Sequence, residues 1–470
     1  MTTTNIGKLH PIGVVPVLPG DTMQHNTTAL IRCSPLVSPV MHPVSVRIHH
    51  FFVPNRIVWP DWEDFITGGS DGTAIPLPKI TTTGSKNTML HHLGLPPIAG
   101  VDVLALPVYA VNKIINEFYR DQDLVTERAE DDISEFNVAW EKDYFTTARP
   151  WTQKGPEISV PIGGAAPVRG IGAKQGNTIN SNVAVWDTAD GNTTYQFGVN
   201  RDSGDIVLDS NAQPEGRANV WADLSQATGG TVNDFRAAFS LQRYQEARAR
   251  YGSRFTEYLR YLGINPSDAR LQRPEFLGGG TSRLNFSEVL QTAPGEASDT
   301  FSVGDMYGHG IAGVRSNRYR KFFEEHGYVV SMMSVRPKSI YMNGIPREFL
   351  KDVKEDFYQK ELANLGQQEI FQAELYAEDT QDVFGFQDRY QEYRYQPSQV
   401  TGDFRDTLNS YHLARELQQN VTLNEDFVKC DPSDRIFQDN SAEYDKLWVM
   451  ANHHIVARRM VPKRANPRII

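Results

Sequence analysis

Cysteine is nearly absent from this chain of 470 residues: Cys33 and Cys430 stand far apart and outside any metal-ligand spacing. That excludes a disulfide-stapled scaffold and a paired-cysteine zinc site. No apolar run approaches the ~20 residues needed to cross a bilayer. The opening Met1-Thr2-Thr3-Thr4 has no basic region followed by an apolar stretch, so no secretory signal is expected. Positive charge is not in excess either, the formal net charge being −10. A protein whose main task is wrapping nucleic acid is usually basic overall, so any such contact here must run through a local patch. There is no phosphate-binding G-x-x-x-x-G-K-[ST] loop, no H-E-x-x-H and no internal repeat of about 20–50 residues. Carboxylates are abundant but none is singled out by context, so no acid–base pair, cofactor or metal is expected, and the chain does not read as an enzyme.

What is present is an ordinary globular balance, 40% apolar and 22% charged. The length suits one large domain with insertions, or two or three ordinary ones. Proline (27) and glycine (36) are spread throughout, which interrupts helices and favours short strands joined by turns. Val44, Val46 and Ile48 alternate with Ser45, Arg47 and His49, predicting a strand that Pro54-Asn55 turns out of its sheet. Pro107 opens a helix with Val108, Val111, Ile115 and Phe118 on one face. Helical spacing returns at Phe235, Ala238, Phe239 and Gln242, breaks at Gly252-Ser253, and resumes at Phe255, Tyr258, Leu259 and Leu262 until Gly263. Strand text follows at Tyr328 to Val335 and at Leu447 to Met460. Strong strands at opposite ends of the chain, separated by irregular text, predict one β-core with large excursions. Residues 157–230, rich in Gly, Asn, Asp and Thr and poor in large aliphatics, read as a surface insertion with short hairpins at best.

Gly308-His309-Gly310-Ile311-Ala312-Gly313 formally matches a dinucleotide fingerprint, but lacks a clear preceding strand and the acidic residue that should follow, so a flexible loop is expected. Histidines come in neighbouring pairs: His49-His50, His91-His92 and His453-His454. Neighbours on a strand point to opposite faces, so no pair chelates a metal with both rings. Bases and aromatics interleave at Arg318-Tyr319-Arg320-Lys321-Phe322-Phe323 and from Arg389-Tyr390 to Tyr393-Arg394-Tyr395, text that suits single-stranded nucleic acid, although a snorkelling polar face is the plainer reading. After Asp445 no acid occurs, while Lys446, Arg458, Arg459, Lys463, Arg464 and Arg468 accumulate. This tail is either solvated, paired at an interface, or turned to nucleic acid.

Several blocks together resemble the major capsid proteins of the Microviridae, especially the gokushovirus branch. They are Phe51-Phe52-Val53-Pro54-Asn55-Arg56, Trp62-Glu63-Asp64-Phe65-Ile66, Asp143-Tyr144-Phe145-Thr146-Thr147, Pro150-Trp151 and Gln153-Lys154-Gly155. Asp268 to Gly279 (DARLQRPEFLGG), Glu325-His326-Gly327-Tyr328, Ser334-Val335-Arg336-Pro337 and Phe384-Gly385-Phe386-Gln387 follow in the family's order. Lys360 stands where members commonly carry proline.

The resemblance implies a mainly β fold: an eight-stranded antiparallel viral jelly roll with long inter-strand loops, a few helices and a large surface insertion. Residues 1–470 would then be one capsid domain, with 157–230 a protrusion inserted in it. It also implies a structural role, about sixty copies closing a T=1 icosahedral shell around circular single-stranded DNA. A carbohydrate-binding or cupin-like jelly roll is the alternative from another class. Candidate nucleic-acid-facing residues are Arg458, Arg459, Lys463, Arg464, Arg468, Arg318, Arg320 and Lys321. Candidates for packing a threefold protrusion are Val183, Val185, Trp186, Tyr195 and Phe197. Expected partners are further copies of the chain, the packaged DNA, a small basic DNA-binding protein, minor pilot or scaffolding proteins, and a host receptor. The expected location is the virion, after synthesis in the bacterial cytoplasm.

Overall fold

A computed structural model of the chain describes residues 1–69, 75–156, 158, 232–252, 254–292, 303–379 and 382–461, with short strands between 168 and 222. Two compact units emerge, Met1–Thr152 with Arg248–Ile470, and Gln153–Ala247.

The first unit is built on ten antiparallel strands: β1 (Thr2–Thr4), β2 (Lys8–Val17), β3 (Thr22–Cys33), β4 (Val44–Pro54), β5 (Phe136–Asn137), β6 (Glu275–Leu290), β7 (Met306–Arg315), β8 (Tyr319–Phe322), β9 (Gly327–Pro337) and β10 (Leu447–Arg458). They lie in the order β1-β10-β3-β7-β6-β4-β9-β2-β5, with β8 also paired to β3. The long β6 belongs to both halves: residues 275–284 pair with β4 and residues 285–290 with β7. The path therefore folds over on itself at β6. Side chains of β3, β7 and β10 (Ala29, Ile31, Val314, Leu447, Val449) meet those of β4 and β9 (Val44, Val46, Ile48, Met333, Val335) in one core. The mainly β expectation holds, and the strands at the two ends of the sequence lie on one path.

Burial explains which sequence patterns were readable. On β3 burial alternates strictly from Met23 to Cys33, as in a sheet with one wet face. On β9 nearly every residue is buried. Its Met333 and Val335 face the inter-sheet core, whereas Val330 and Met332 join a second core with Phe51, Val53 and helix α1 (Leu106–Ile114). Helices α2 (Val232–Tyr251) and α3 (Phe255–Tyr261) form at the predicted helical spacing. The Gly308–Gly313 text departs from expectation: it is no loop but the middle of β7. Glycine serves there because the neighbours are close. A Cβ on Gly308 would lie 2.6 Å from the Ser38 carbonyl oxygen, and one on Gly310 would lie 2.7 Å from Cys33 Sγ.

The blocks that carry the family resemblance touch one another. Arg56 donates to both carboxylate oxygens of Glu325 (3.0 and 3.1 Å) and to Gln272 Oε1 (2.6 Å). Trp62 stacks edgewise on His326, with ring centres 5.5 Å apart. Arg273 sits 4.2 Å over Phe118 and pairs with Asp268. Asp143 accepts from the backbone of Phe145 and Thr146 and from the Tyr341 hydroxyl, anchoring a third core around Tyr144, Phe145, Phe384 and Phe427.

The second unit contains small sheets. Val183–Asp187 pairs with Thr193–Phe197 and with Ile171–Ala173, and Val168–Arg169 pairs with Trp221–Ala222. Val183 stands opposite Phe197, Val185 opposite Tyr195, and Trp186 opposite Thr194. This is somewhat more strand than the composition suggested.

Candidate nucleic-acid interface

Strand alternation generates one unusual surface. Because β3 buries Met23, His25, Thr27, Ala29, Ile31 and Cys33, its other positions (Gln24, Asn26, Thr28, Leu30, Arg32) all face away from the core. The same alternation turns Trp448, Met450, Asn452, His454, Val456 and Arg458 of β10 outward, with His309, Ile311 and Arg315 of β7, and Arg320 and Phe322 of β8. Register places them side by side. Arg32 is flanked by Trp448 and Ile311, Thr28 by Arg315 and Asn452, Gln24 by Arg320 and Val456, and Thr22 by Phe322 and Arg458.

No aspartate or glutamate occupies any of these outward positions, although acids outnumber bases in the chain. Among the described residues Arg32, Arg315, Arg320 and Arg458 have no carboxylate partner, whereas many other arginines of the first unit do. Arg318 reaches the same face, donating to Gln24 Oε1. Trp448 is half exposed. Guanidinium groups without carboxylate partners, amide and hydroxyl side chains and an exposed indole on one sheet face offer phosphate contacts and a stacking platform. On the same face the Ser287 hydroxyl lies 3.2 Å from Nδ1 of the exposed His309.

The sequence candidates divide accordingly. Arg318, Arg320 and Arg458 come together here. Lys321 does not: it points to the opposite side and is ion-paired with Glu275. Arg459 is also committed, to Asp21 at 2.9 Å and to the Pro16 carbonyl. Lys463, Arg464 and Arg468 lie outside the described residues. Lys446 is buried and donates to the Ser441 carbonyl at 2.6 Å, so it is a structural cation. In the second basic–aromatic stretch, the Tyr390 hydroxyl lies 3.2 Å from the carbonyl oxygens of Glu355 and Phe357 and accepts from the Gln359 amide, and Tyr393 packs under Lys351. These rings hold a loop together. Arg32, Arg315 and Trp448 were missed, since each is a lone residue whose meaning appears only when distant strands pair.

A family model described as "Capsid protein (F protein)" matches residues 1–468. The chain is similar to "Capsid protein VP1" of Bdellovibrio phage phiMH2K, 32% identical over 95% of this chain and 89% of the relative. It is similar to the protein of the same name from Chlamydia phage 1, 31% identical over 92% and 88%. For the one from Spiroplasma virus 4 the figures are 32%, 91% and 85%.

Proposed function

Since the chain belongs to the capsid protein (F protein) family, we propose that it closes a T=1 shell of about sixty copies around circular single-stranded DNA, with the arginine face turned to the lumen. It is a structural protein of the virion and not an enzyme, which sets aside the carbohydrate-binding or cupin-like alternative. The observation that carries the DNA-facing assignment is the segregation of charge: a chain of net charge −10 places no acid at the outward strand positions of this sheet face and leaves Arg32, Arg315, Arg320 and Arg458 without a carboxylate partner among the described residues. Such a face holds phosphates locally but does not neutralise a genome. The remaining charge falls to a small basic protein or to polyamines. The jelly-roll reading of the folded-over sheet, synthesis in the host cytoplasm, minor pilot or scaffolding proteins, and receptor contact through residues 157–230 belong to the same proposal.

Replacing Arg32, Arg315, Arg320 and Arg458 together with glutamine tests it. Binding of an oligothymidylate by the purified chain is expected to weaken. The slope of log affinity against log salt is expected to become shallower by about 3, at roughly 0.7 per lost phosphate contact on single strands. An unchanged slope with intact folding contradicts the assignment.

A further inference from the structure

Two histidines and a carboxylate from three separate segments converge at the β2–β5 edge of the sheet. The antiparallel pairing of Lys8 with Asn137 and of Leu9 with Phe136 brings residues 10 and 135 beside each other. The short helix Met89–His92 is tied to the same segment by a bond from the Met89 amide to the Ile133 carbonyl, 2.8 Å. It delivers His92, whose ring stacks on that of His10 with centres 3.8 Å apart. One ligating atom from each of His10, His92 and Glu135 lies within 4.8 Å of the other two. We propose that these three side chains form a binding site for one divalent transition-metal ion of the zinc class.

The donor set is two imidazoles and a carboxylate, which suits Zn²⁺ or Co²⁺ and leaves one position for water. At metal–donor distances of about 2.0–2.2 Å tetrahedral donors stand roughly 3.3–3.6 Å apart, so binding must draw these atoms together and turn the stacked rings until both lone pairs meet the ion. His92 Nδ1 lies 3.2 Å from the Thr2 hydroxyl, which leaves Nε2 toward Glu135 Oε1 at 3.8 Å. Outer contacts of this kind fix a ligating imidazole's tautomer and rotation. Glu135 and His92 also border an open groove of about 1090 Å³, a path for the ion and its water. One group competes with the metal, the Lys8 ammonium 3.1 Å from Glu135 Oε2. Binding must displace it.

The test uses the tag-free full-length chain stripped with a chelator, then titrated with Co²⁺ by visible absorption and with Zn²⁺ by calorimetry. One equivalent per chain is expected. His92→Ala and Glu135→Gln should each weaken binding by roughly tenfold or more, and Lys8→Gln should tighten it. Circular dichroism checks that each variant is folded, and Glu135→Gln, at a partly exposed position, carries the test if His92→Ala is not. Absence of saturable binding overturns the site. Binding indifferent to Glu135→Gln and Lys8→Gln overturns it equally.

Discussion

Lowering the pH from 6.5 to 5 is expected to cost the folded chain about 3 kcal/mol through two histidines alone, the slope rising toward roughly 1.4 kcal/mol per unit per group once the unfolded histidines are fully protonated. The reason lies midway through the inter-sheet core. At one level of the fold four strands place polar side chains inward: His25 and Thr27 on β3, His50 on β4, Ser331 on β9 and His453 on β10. Thr27 Oγ1 lies 2.8 Å from His453 Nδ1, and His25 Nε2 lies 3.2 Å from the same atom. His50 lies 2.8 Å from the Ser331 hydroxyl and 2.9 Å from that of Ser316, and His25 lies 3.1 Å from the Tyr319 hydroxyl. Neither His25 nor His50 is exposed at all. Burial, and then the neighbouring imidazoles, lower His25 to about 4 and His50 to about 3. The folded state thus refuses protons that the unfolded chain accepts below about 6.5. Stability is complete above that value and falls as pH drops toward 4. His42 and His49 are shifted the same way by burial and steepen the loss. Denaturant unfolding at pH 7.5, 6 and 5 measures it, and His50→Gln should remove about half of the contribution of this pair. A stability that stays flat down to pH 5 contradicts the neutral buried layer.

Replacing residues 160–228 by a short Gly/Ser linker is expected to leave particles that assemble and hold DNA but adsorb to cells poorly, by roughly an order of magnitude or more. The excised text is acidic and poor in aliphatics, so no core of its own length is lost with it. Shortening the excursion does not harm the sheet either, because each doubling of a loop costs only about 0.6 kcal/mol of closure entropy. Its few large apolar residues, Val183, Val185, Trp186, Tyr195 and Phe197 among them, would find cover where three copies meet on a threefold axis. Normal adsorption by the shortened particles contradicts the receptor role. Failure to form shells makes the segment an assembly contact instead.

Legibility followed the physics of each segment. β4, β9, β10 and α1 were readable because apolar residues repeat with the strand or helix period. β3 was not, since His25 and Thr27 occupy inward positions and hide its alternation. β2 carries Pro11 and Pro16, and β7 carries glycines that read as a loop until their close neighbours are known. For the interface, Arg318, Arg320 and Arg458 were visible as local basic text. Arg32 beside Trp448 needed the β3–β10 register. The histidine pairs show the same limit. Strand geometry rules out chelation within a pair, and His50 and His453 do turn inward as their neighbours His49 and His454 do not, but convergence across strands is a property of the fold.

The central claim, a shell subunit with its arginine-bearing sheet face toward the genome, is tested most directly by a reconstruction of the purified particle. The account predicts a closed shell in which Arg32, Arg315, Arg320 and Arg458 line the lumen, with nucleic-acid density against them and against Trp448. A shell in which that face lies outermost, or is buried between subunits without nucleic acid, contradicts it.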